Sequence, residues 1–209
     1  MLILNWIGGG FAALHKFRRL CLQRYWRGKL AEAGPGLSIG DGFQAHGPDR
    51  IRAGREVSIA NHVTLRAMTA YPWTTPPQTF APEIVLEDRC FINNFSQISC
   101  VNRVVIGANT MIAEGCFIAD NNHGYDDPAG SIREQPLRIC GEVHIGPDSW
   151  IGAHSVIVGN IRIGRHCVVG AHAVVTSDLP DFSVAAGAPA RVLKQYDPVR
   201  NQWLPPAAS

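Results

Sequence analysis

Charge is scarce in this 209-residue chain. Only 17% of its residues are Asp, Glu, Lys or Arg, and the formal net charge is +2. Such a balance excludes a dedicated nucleic-acid binder, which needs a strongly basic face. A long hydrophobic run is also missing. The apolar opening stretch (Leu2, Ile3, Leu4, Trp6, Ile7, Phe11, Leu14) is interrupted by Gly8-Gly9-Gly10. It is too short to span a bilayer. It has no basic lead and no clear small-residue cleavage site, so a signal peptide is not expected. The six cysteines (Cys21, Cys90, Cys100, Cys116, Cys140, Cys167) have neither metal-knuckle nor redox spacing. They read as small, mostly buried thiols of a reducing, cytoplasmic compartment.

What the chain has instead is a six-residue rhythm. Ile139, Ile145, Ile151, Ile157, Ile163, Val169 and Val175 follow one another at intervals of six, a period that fits neither an α-helix nor a simple alternating strand. Gly follows the aliphatic at 146, 152, 164 and 170, and a small or branched residue stands four after it (Ser149, Ser155, Ile161, Cys167, Ala173). Each unit reads as a short strand plus a corner of a β-solenoid, with the aliphatic inward, Gly opening the turn and the small residue filling the corner. Shorter runs precede it: Leu86, Ile92, Ile98, then Ile106, Ile112, Ile118, with weaker starts at Ile39, Ile59 and Leu65. Three units make a triangular turn, so residues about eighteen apart stack at the inter-strand spacing of about 4.8 Å. The fold class expected is all-β, a parallel β-helix with a short N-terminal helical segment.

Three parts are expected: a basic amphipathic segment over 1–34, a solenoid domain over 35–194, and a poorly ordered Pro- and Ala-rich tail over 195–209. Lys16, Arg18, Arg19, Arg24, Arg27 and Lys29 all precede the first acid, Glu32, which leaves 13 basic against 17 acidic residues beyond and a balance of −4. The segment over 1–30 suits either peripheral contact with an anionic membrane face or a helical cap on the solenoid's end. Two stretches leave the rhythm. Residues 66–83 hold four prolines and form a stiff, irregular loop whose Tyr71 and Trp73 are candidates for an exposed aromatic wall against a sugar ring. Residues 119–138 gather His, Asp and Asn on a loop, where chemistry is usually carried.

The repeats, NNHGYDDP, DSWIGAHSVI and VAAGAPARVLK occur in this order. Together they resemble the hexapeptide-repeat acyltransferases with a left-handed parallel β-helix, and within them the galactoside, maltose and exopolysaccharide O-acetyltransferase branch. The resemblance covers residues 84–194 closely and 36–65 loosely. It implies an acetyl-CoA-dependent O-acetyltransferase acting on a sugar hydroxyl, with acetyl-CoA as cosubstrate and no metal. It also implies a homotrimer with sites between subunits. His123 would be the general base, suited by a reference pKa near 6.5, and either Asp120 or Asp126 could orient its ring. The backbone N–H of Ala153 would face the oxyanion. Asn94, Trp150, Asp120, Tyr71 and Trp73 would meet the acceptor. Coenzyme A would run past Ala153, Gly170 and Ala171 to Thr176 and Ser177, with Arg191 and Lys194 at its phosphates. Ser177 departs from the Lys that many relatives carry.

Other readings stay open from the sequence: an acceptor that is an amino sugar, an antibiotic or serine; a non-catalytic solenoid; or a zinc enzyme of the γ-carbonic anhydrase kind. For the last, His154 and His172 are eighteen apart and should stack and His166 occupies an equivalent corner, but no third ligand stands at that family's spacing.

Overall fold

In the computed structural model, which describes residues 17–206, the chain winds around a three-sided prism. Each circuit is a coil, and the coils stack in register. The first face carries the parallel strands Glu32–Ala33, Ile51–Ala53, Glu83–Leu86, Arg103–Ile106, Glu142–Ile145 and Ile161–Ile163. The second begins with Ser38–Ile39, Ser58–Ile59, Phe91–Ile92, Met111–Ile112, Trp150–Ile151 and Val168–Val169. The third is built from Gln44–His46, Thr64–Ala67, Gln97–Cys100, Phe117–Ala119, Val156–Val158 and Val174–Val175.

The aliphatics fall on successive faces as their spacing requires. Ile145 is on the first face in register with Ile106 and Ile163, Ile151 on the second with Ile112 and Val169, and Ile157 on the third with Ile118 and Val175. All of them are buried. Each inward aliphatic contributes roughly 1.5–3 kcal/mol of transfer free energy, so the core is a column rather than a ball. Cys90, Cys116 and Cys167 fill corners as expected, and burial pushes the Cys90 thiol up to about 12.

The corners differ from the expectation in one respect. The glycine after the aliphatic does not carry the left-handed backbone. That conformation falls two residues later, at Asp148, His154, His166 and His172 among others. Together with the bond from Ser155 N–H to the Gly152 carbonyl (3.3 Å), this is the pattern of a type II turn. Glycine is needed for a different reason: a Cβ on Gly146 would lie 2.6 Å from the backbone of Gly164 in the next coil.

Ile139, the first member of the unbroken run, is not in the column. It is 54% exposed and pairs antiparallel with Asn121 in a hairpin, Asn121–His123 with Leu137–Ile139. The coil resumes only at Glu142. At the other end the coil continues past Val175: Leu179 bridges Ile163, and Ser183–Gly187 pairs parallel with Val168–Val169. The described part of the tail expected to be poorly ordered is instead paired on the second face: Ala190–Asp197 runs into the tail and Gln202–Leu204 lies within it, both antiparallel, while 207–209 lie outside the described residues. Ala190 and Val192 pack against the column, closing its open end.

At the opposite end the helix over 17–27 stops at Gly28. Trp26 packs edge-on against Phe43 (ring centroids 5.0 Å), and Leu30 is buried below it. Arg18 pairs with Asp41 (2.7 Å), and Arg27 donates to the carbonyl of Gly34 (3.3 Å). This part of the segment caps the prism. Residues 1–16, which hold the apolar lead, lie outside the described residues. No helix among the described residues is long and apolar enough to cross a membrane.

Candidate active site

Both loops leave the prism at the edge between its third and first faces, from the coils on either side of the one over 83–102. That middle coil turns tightly there through Val101 and Asn102. Asp120 makes the tight turn possible. Its carboxylate is fully buried and accepts from the backbone N–H groups of Val101 (2.9 Å) and Asn102 (2.8 Å) and from Asn121 Nδ2 (2.9 Å). The Cys100 thiol also donates to it (3.3 Å).

The two loops then meet over Val101. Tyr71, Val101 and Leu137 form a small apolar cluster with Met68 and Phe80. The proline-rich loop is more regular than its composition suggests, with a short antiparallel pair, Ala70–Tyr71 with Gln78–Thr79. Gln78 reads the backbone of Leu137 in both directions: its Oε1 accepts from Leu137 N–H (2.8 Å), and its Nε2 donates to the Leu137 carbonyl (3.0 Å). The Tyr71 hydroxyl donates to the carbonyl of Arg133, and the Arg133 guanidinium lies 3.5 Å over the Trp73 ring, a cation–π contact.

His123 stands on this supported hairpin, exposed, with the Tyr71 ring edge-on to its imidazole (centroids 6.0 Å). Neither candidate carboxylate orients it. Asp120 is turned inward on the tight corner, and Asp126 pairs with Arg138. Tyr71 is not an exposed wall either: it is buried, and its hydroxyl is engaged. Trp73 is half-exposed with one ring face under Arg133.

The remaining candidates lie elsewhere on the prism. Ala153, Gly170 and Ala171 sit at the edge between second and third faces, each the first or second residue after a strand of the second face. Thr176 and Ser177 sit on the same edge as His123, while Arg191 and Lys194 are exposed on the closing strand beside the second face. Trp150 points outward from the second face in register with Met111 and Val168. Asn94 lies at the same edge as Ala153, and its Oδ1 accepts from the N–H of Asn61 (3.0 Å), so its carbonyl is committed to the coil. Within one chain, His123 and Ala153 are therefore on different edges, a face apart. The grooves of about 370 and 670 Å³ flanking the helix lie at the far end and do not include His123.

The second edge carries a graded feature. The N–H two residues after the inward aliphatic points toward the next coil. Asp41 N–H is capped by Asn61 Oδ1 (2.9 Å), Asn61 by Asn94, and Asn94 by Asn93 Oδ1 (2.8 Å). The following members are Glu114, Ala153 and Ala171. Their N–H groups have no partner among the described residues: the residues in register beyond Glu114, Ala153 and Ala171 are Ala153, Ala171 and Gly187, none of which has a side-chain acceptor. On the first edge the equivalent N–H groups are capped at Arg55, Ala108 and Arg165 by carboxylates, and abolished by proline at 35 and 147, with Asp88 the exception. Successive open donors thus lie along the second edge beside the later coils, unlike the first edge, and backbone donors of this kind can hold an oxyanion or carbonyl.

His154 and His172 stack as their spacing predicts (5.1 Å). Among the described residues, however, no group of three or more His, Cys, Asp or Glu could hold a metal.

A prism of stacked hexapeptides defines a class of β-solenoids, and this chain is similar to several known members of it. The bacterial transferase hexapeptide family (six repeats) matches residues 142–177. The probable acetyltransferase Rv3034c of Mycobacterium tuberculosis is 35% identical over 183 residues, 83% of this chain and 57% of the relative. WbbJ of Escherichia coli, named as a lipopolysaccharide biosynthesis O-acetyl transferase, is 34% identical over 126 residues, 57% of this chain and 64% of the relative. The chain thus spans less than two thirds of the length of either. Among solved structures, AntD of Bacillus cereus, an N-acyltransferase in complex with dTDP and 3-hydroxybutyryl-CoA, superposes with TM-score 0.68 at 18% identity over 83% of this chain and 87% of its own. The hexapeptide-repeat acetyltransferase VCA0836 of Vibrio cholerae, complexed with acetyl coenzyme A, gives 0.52 at 24% over 87% and 78%. Residues 142–177 thus carry the bacterial transferase hexapeptide repeat, and the fold is the left-handed parallel β-helix of these neighbours.

Proposed function

We propose that this protein is an acetyl-CoA-dependent O-acetyltransferase for a hydroxyl of a surface polysaccharide or its precursor. The observation that carries the reading is the pairing of an exposed histidine on a braced hairpin with a run of uncapped backbone donors one edge away. The relative named for O-acetyl transfer in lipopolysaccharide biosynthesis favours a sugar hydroxyl as acceptor.

In this mechanism His123 accepts the hydroxyl proton as the oxygen attacks the thioester carbonyl. The carbonyl oxygen becomes an oxyanion held by the Ala153 N–H. The C–S bond then breaks, and the imidazolium returns its proton to the departing thiolate. No acyl-enzyme is needed, because the thioester is already activated. Small side chains at Ala153, Gly170 and Ala171 leave room for the pantetheine arm beside the backbone, and Thr176, Ser177, Arg191 and Lys194 would receive the nucleotide end.

His123 and Ala153 come together only if a second subunit presents its second edge to the hairpin, so the enzyme is a homotrimer with intersubunit sites. The exposed Phe91, Met111 and Trp150 on the second face and Phe117 on the third supply an apolar surface suited to that contact. Peripheral membrane contact through the N-terminal segment would use the exposed Phe17, Leu20 and Tyr25. Sedimentation with anionic vesicles, compared between the intact protein and Leu20→Glu, tests it: equal recovery in both pellets removes the membrane contact.

His123→Ala tests the base. Turnover, read as thiol release from acetyl-CoA with a panel of glycosides and amino sugars, falls by a factor on the order of 10²–10⁴ with the melting temperature unchanged. A loss of less than about tenfold removes the assignment.

A further inference from the structure

We infer that Gln78 is a positioning residue for His123, acting as a one-residue third strand of the catalytic hairpin; this rests on the reading of His123 as the base. His123 and Leu137 are direct partners across the hairpin. In an antiparallel pair, directly opposed residues alternate between exchanging hydrogen bonds with each other and turning their backbone groups outward. Leu137 is of the outward kind, since both its N–H and its carbonyl are taken by the Gln78 amide at 2.8 and 3.0 Å. The neighbouring bond from Cys140 N–H to the Asp120 carbonyl (2.9 Å) has the phase this requires. In an outward pair the side chains approach most closely, so the imidazole lies beside the Leu137 side chain, which is buried against Tyr71 and Val101.

The hairpin has only three residues in each strand, and a lone two-stranded hairpin is marginal in water. Two features brace it from outside. Gln78 fixes the backbone opposite His123, and the Tyr71 hydroxyl fixes the carbonyl of Arg133 further along the loop. A primary amide is the one side chain that reproduces the donor–acceptor pair of a peptide group. Gln78 itself is seated by its own backbone pairing with Tyr71, whose ring touches His123. One short segment thus supplies both the ring against the imidazole and the amide behind its strand. A base displaced by about 1 Å loses on the order of 10²-fold in rate.

The test uses the full-length protein with Gln78→Met, which keeps length and apolar volume and removes both bonds, and Gln78→Glu, which keeps the acceptor and removes the donor. Hydrogen exchange, which needs no acceptor, reads the brace. Amides over 121–139 exchange at least tenfold faster in Gln78→Met, and those over 142–177 are unchanged. Unaltered exchange over 121–139 in both variants overturns the inference. Thiol release from acetyl-CoA with the glycoside panel reads the consequence. Gln78→Met lowers kcat at least tenfold with KM for acetyl-CoA within twofold, Gln78→Glu lowers it less, and adding Gln78→Met to His123→Ala causes no further loss. The same fractional loss in the His123→Ala background means that Gln78 does not act through the histidine, and overturns the inference. A His123→Ala protein with full activity instead removes the base assignment, and faster exchange in Gln78→Met would still report the brace.

Discussion

Ala153 and Pro147 occupy equivalent places in two consecutive corners, and that equivalence offers a clean way to remove one hydrogen-bond donor. The second residue of a type II turn accepts proline, and the fold already uses Pro35 and Pro147 there. Ala153→Pro therefore deletes the open N–H with the turn retained. Turnover is expected to fall by about 10²–10³, the usual loss for one oxyanion donor, with the melting temperature unchanged or raised. A variant with wild-type turnover would take Ala153 out of the site. His144 gives a second prediction. Burial, and secondarily Arg162, hold its imidazole below the ordinary value; Arg103 acts the same way, while Glu87 and Glu142 oppose it. Its Nδ1 is buried without a partner among the described residues. The unfolded chain takes up a proton near pH 6.5 that the folded protein still refuses. Stability is thus full above about pH 6.5 and falls as pH drops from there toward the lower folded value. His144→Gln should flatten the melting temperature between pH 7 and 5; an unchanged slope would assign the acid sensitivity to other groups.

At the scale of elements, the aliphatic column was legible because one side-chain class recurs at one interval and nothing else explains it. Ile145, Ile151 and Ile157 stand on successive faces as their spacing demands. Ile139 has the same spacing and is 54% exposed, because a hairpin's return strand can share the repeat's phase by number alone. Gly152 was legible as a corner residue, though its role is close approach between coils rather than positive φ. His123 was singled out through the motif around it. Its support was not: Gln78 is a loop glutamine between prolines and threonine, and only the folded loops reveal what its amide faces. Asp120 drew attention for the wrong task, since proximity in sequence to a candidate histidine says nothing about which way a carboxylate turns. Its observed task predicts a measurable contrast. Asp120→Asn turns one amide donor toward the Val101 and Asn102 N–H groups and leaves at least one of them unsatisfied, which costs about 1–3 kcal/mol. Asp126→Asn, which disrupts only an exposed pair with Arg138, changes stability by less than about 1 kcal/mol. Thermal melts of the two variants check this, and equal stability would mean that the tight corner does not depend on its carboxylate.

For the whole molecule, the three faces are chemically unequal. The first presents a ladder of alternating charges, Glu32, Arg52, Glu83, Arg103 and Glu142, at 3.1–4.0 Å. Exposed pairs of this kind contribute little to stability, and they keep that face in water. The second and third faces carry the exposed Phe91, Met111, Trp150 and Phe117, so association through them leaves the charged face outward. The proposed site needs the His123 hairpin of one subunit and the Ala153 edge of another, and mixing tests this directly. His123→Ala and Ala153→Pro each keep about 1% of wild-type turnover or less alone. If they are unfolded together, refolded and allowed to exchange subunits at equal ratio, about one interface in four in a cyclic trimer receives both intact parts. Activity should return to about a quarter of the wild-type level by that statistic, well above either parent. Mixtures that stay as inactive as their parents, despite verified subunit exchange, would mean that the histidine and the donor edge do not meet across subunits.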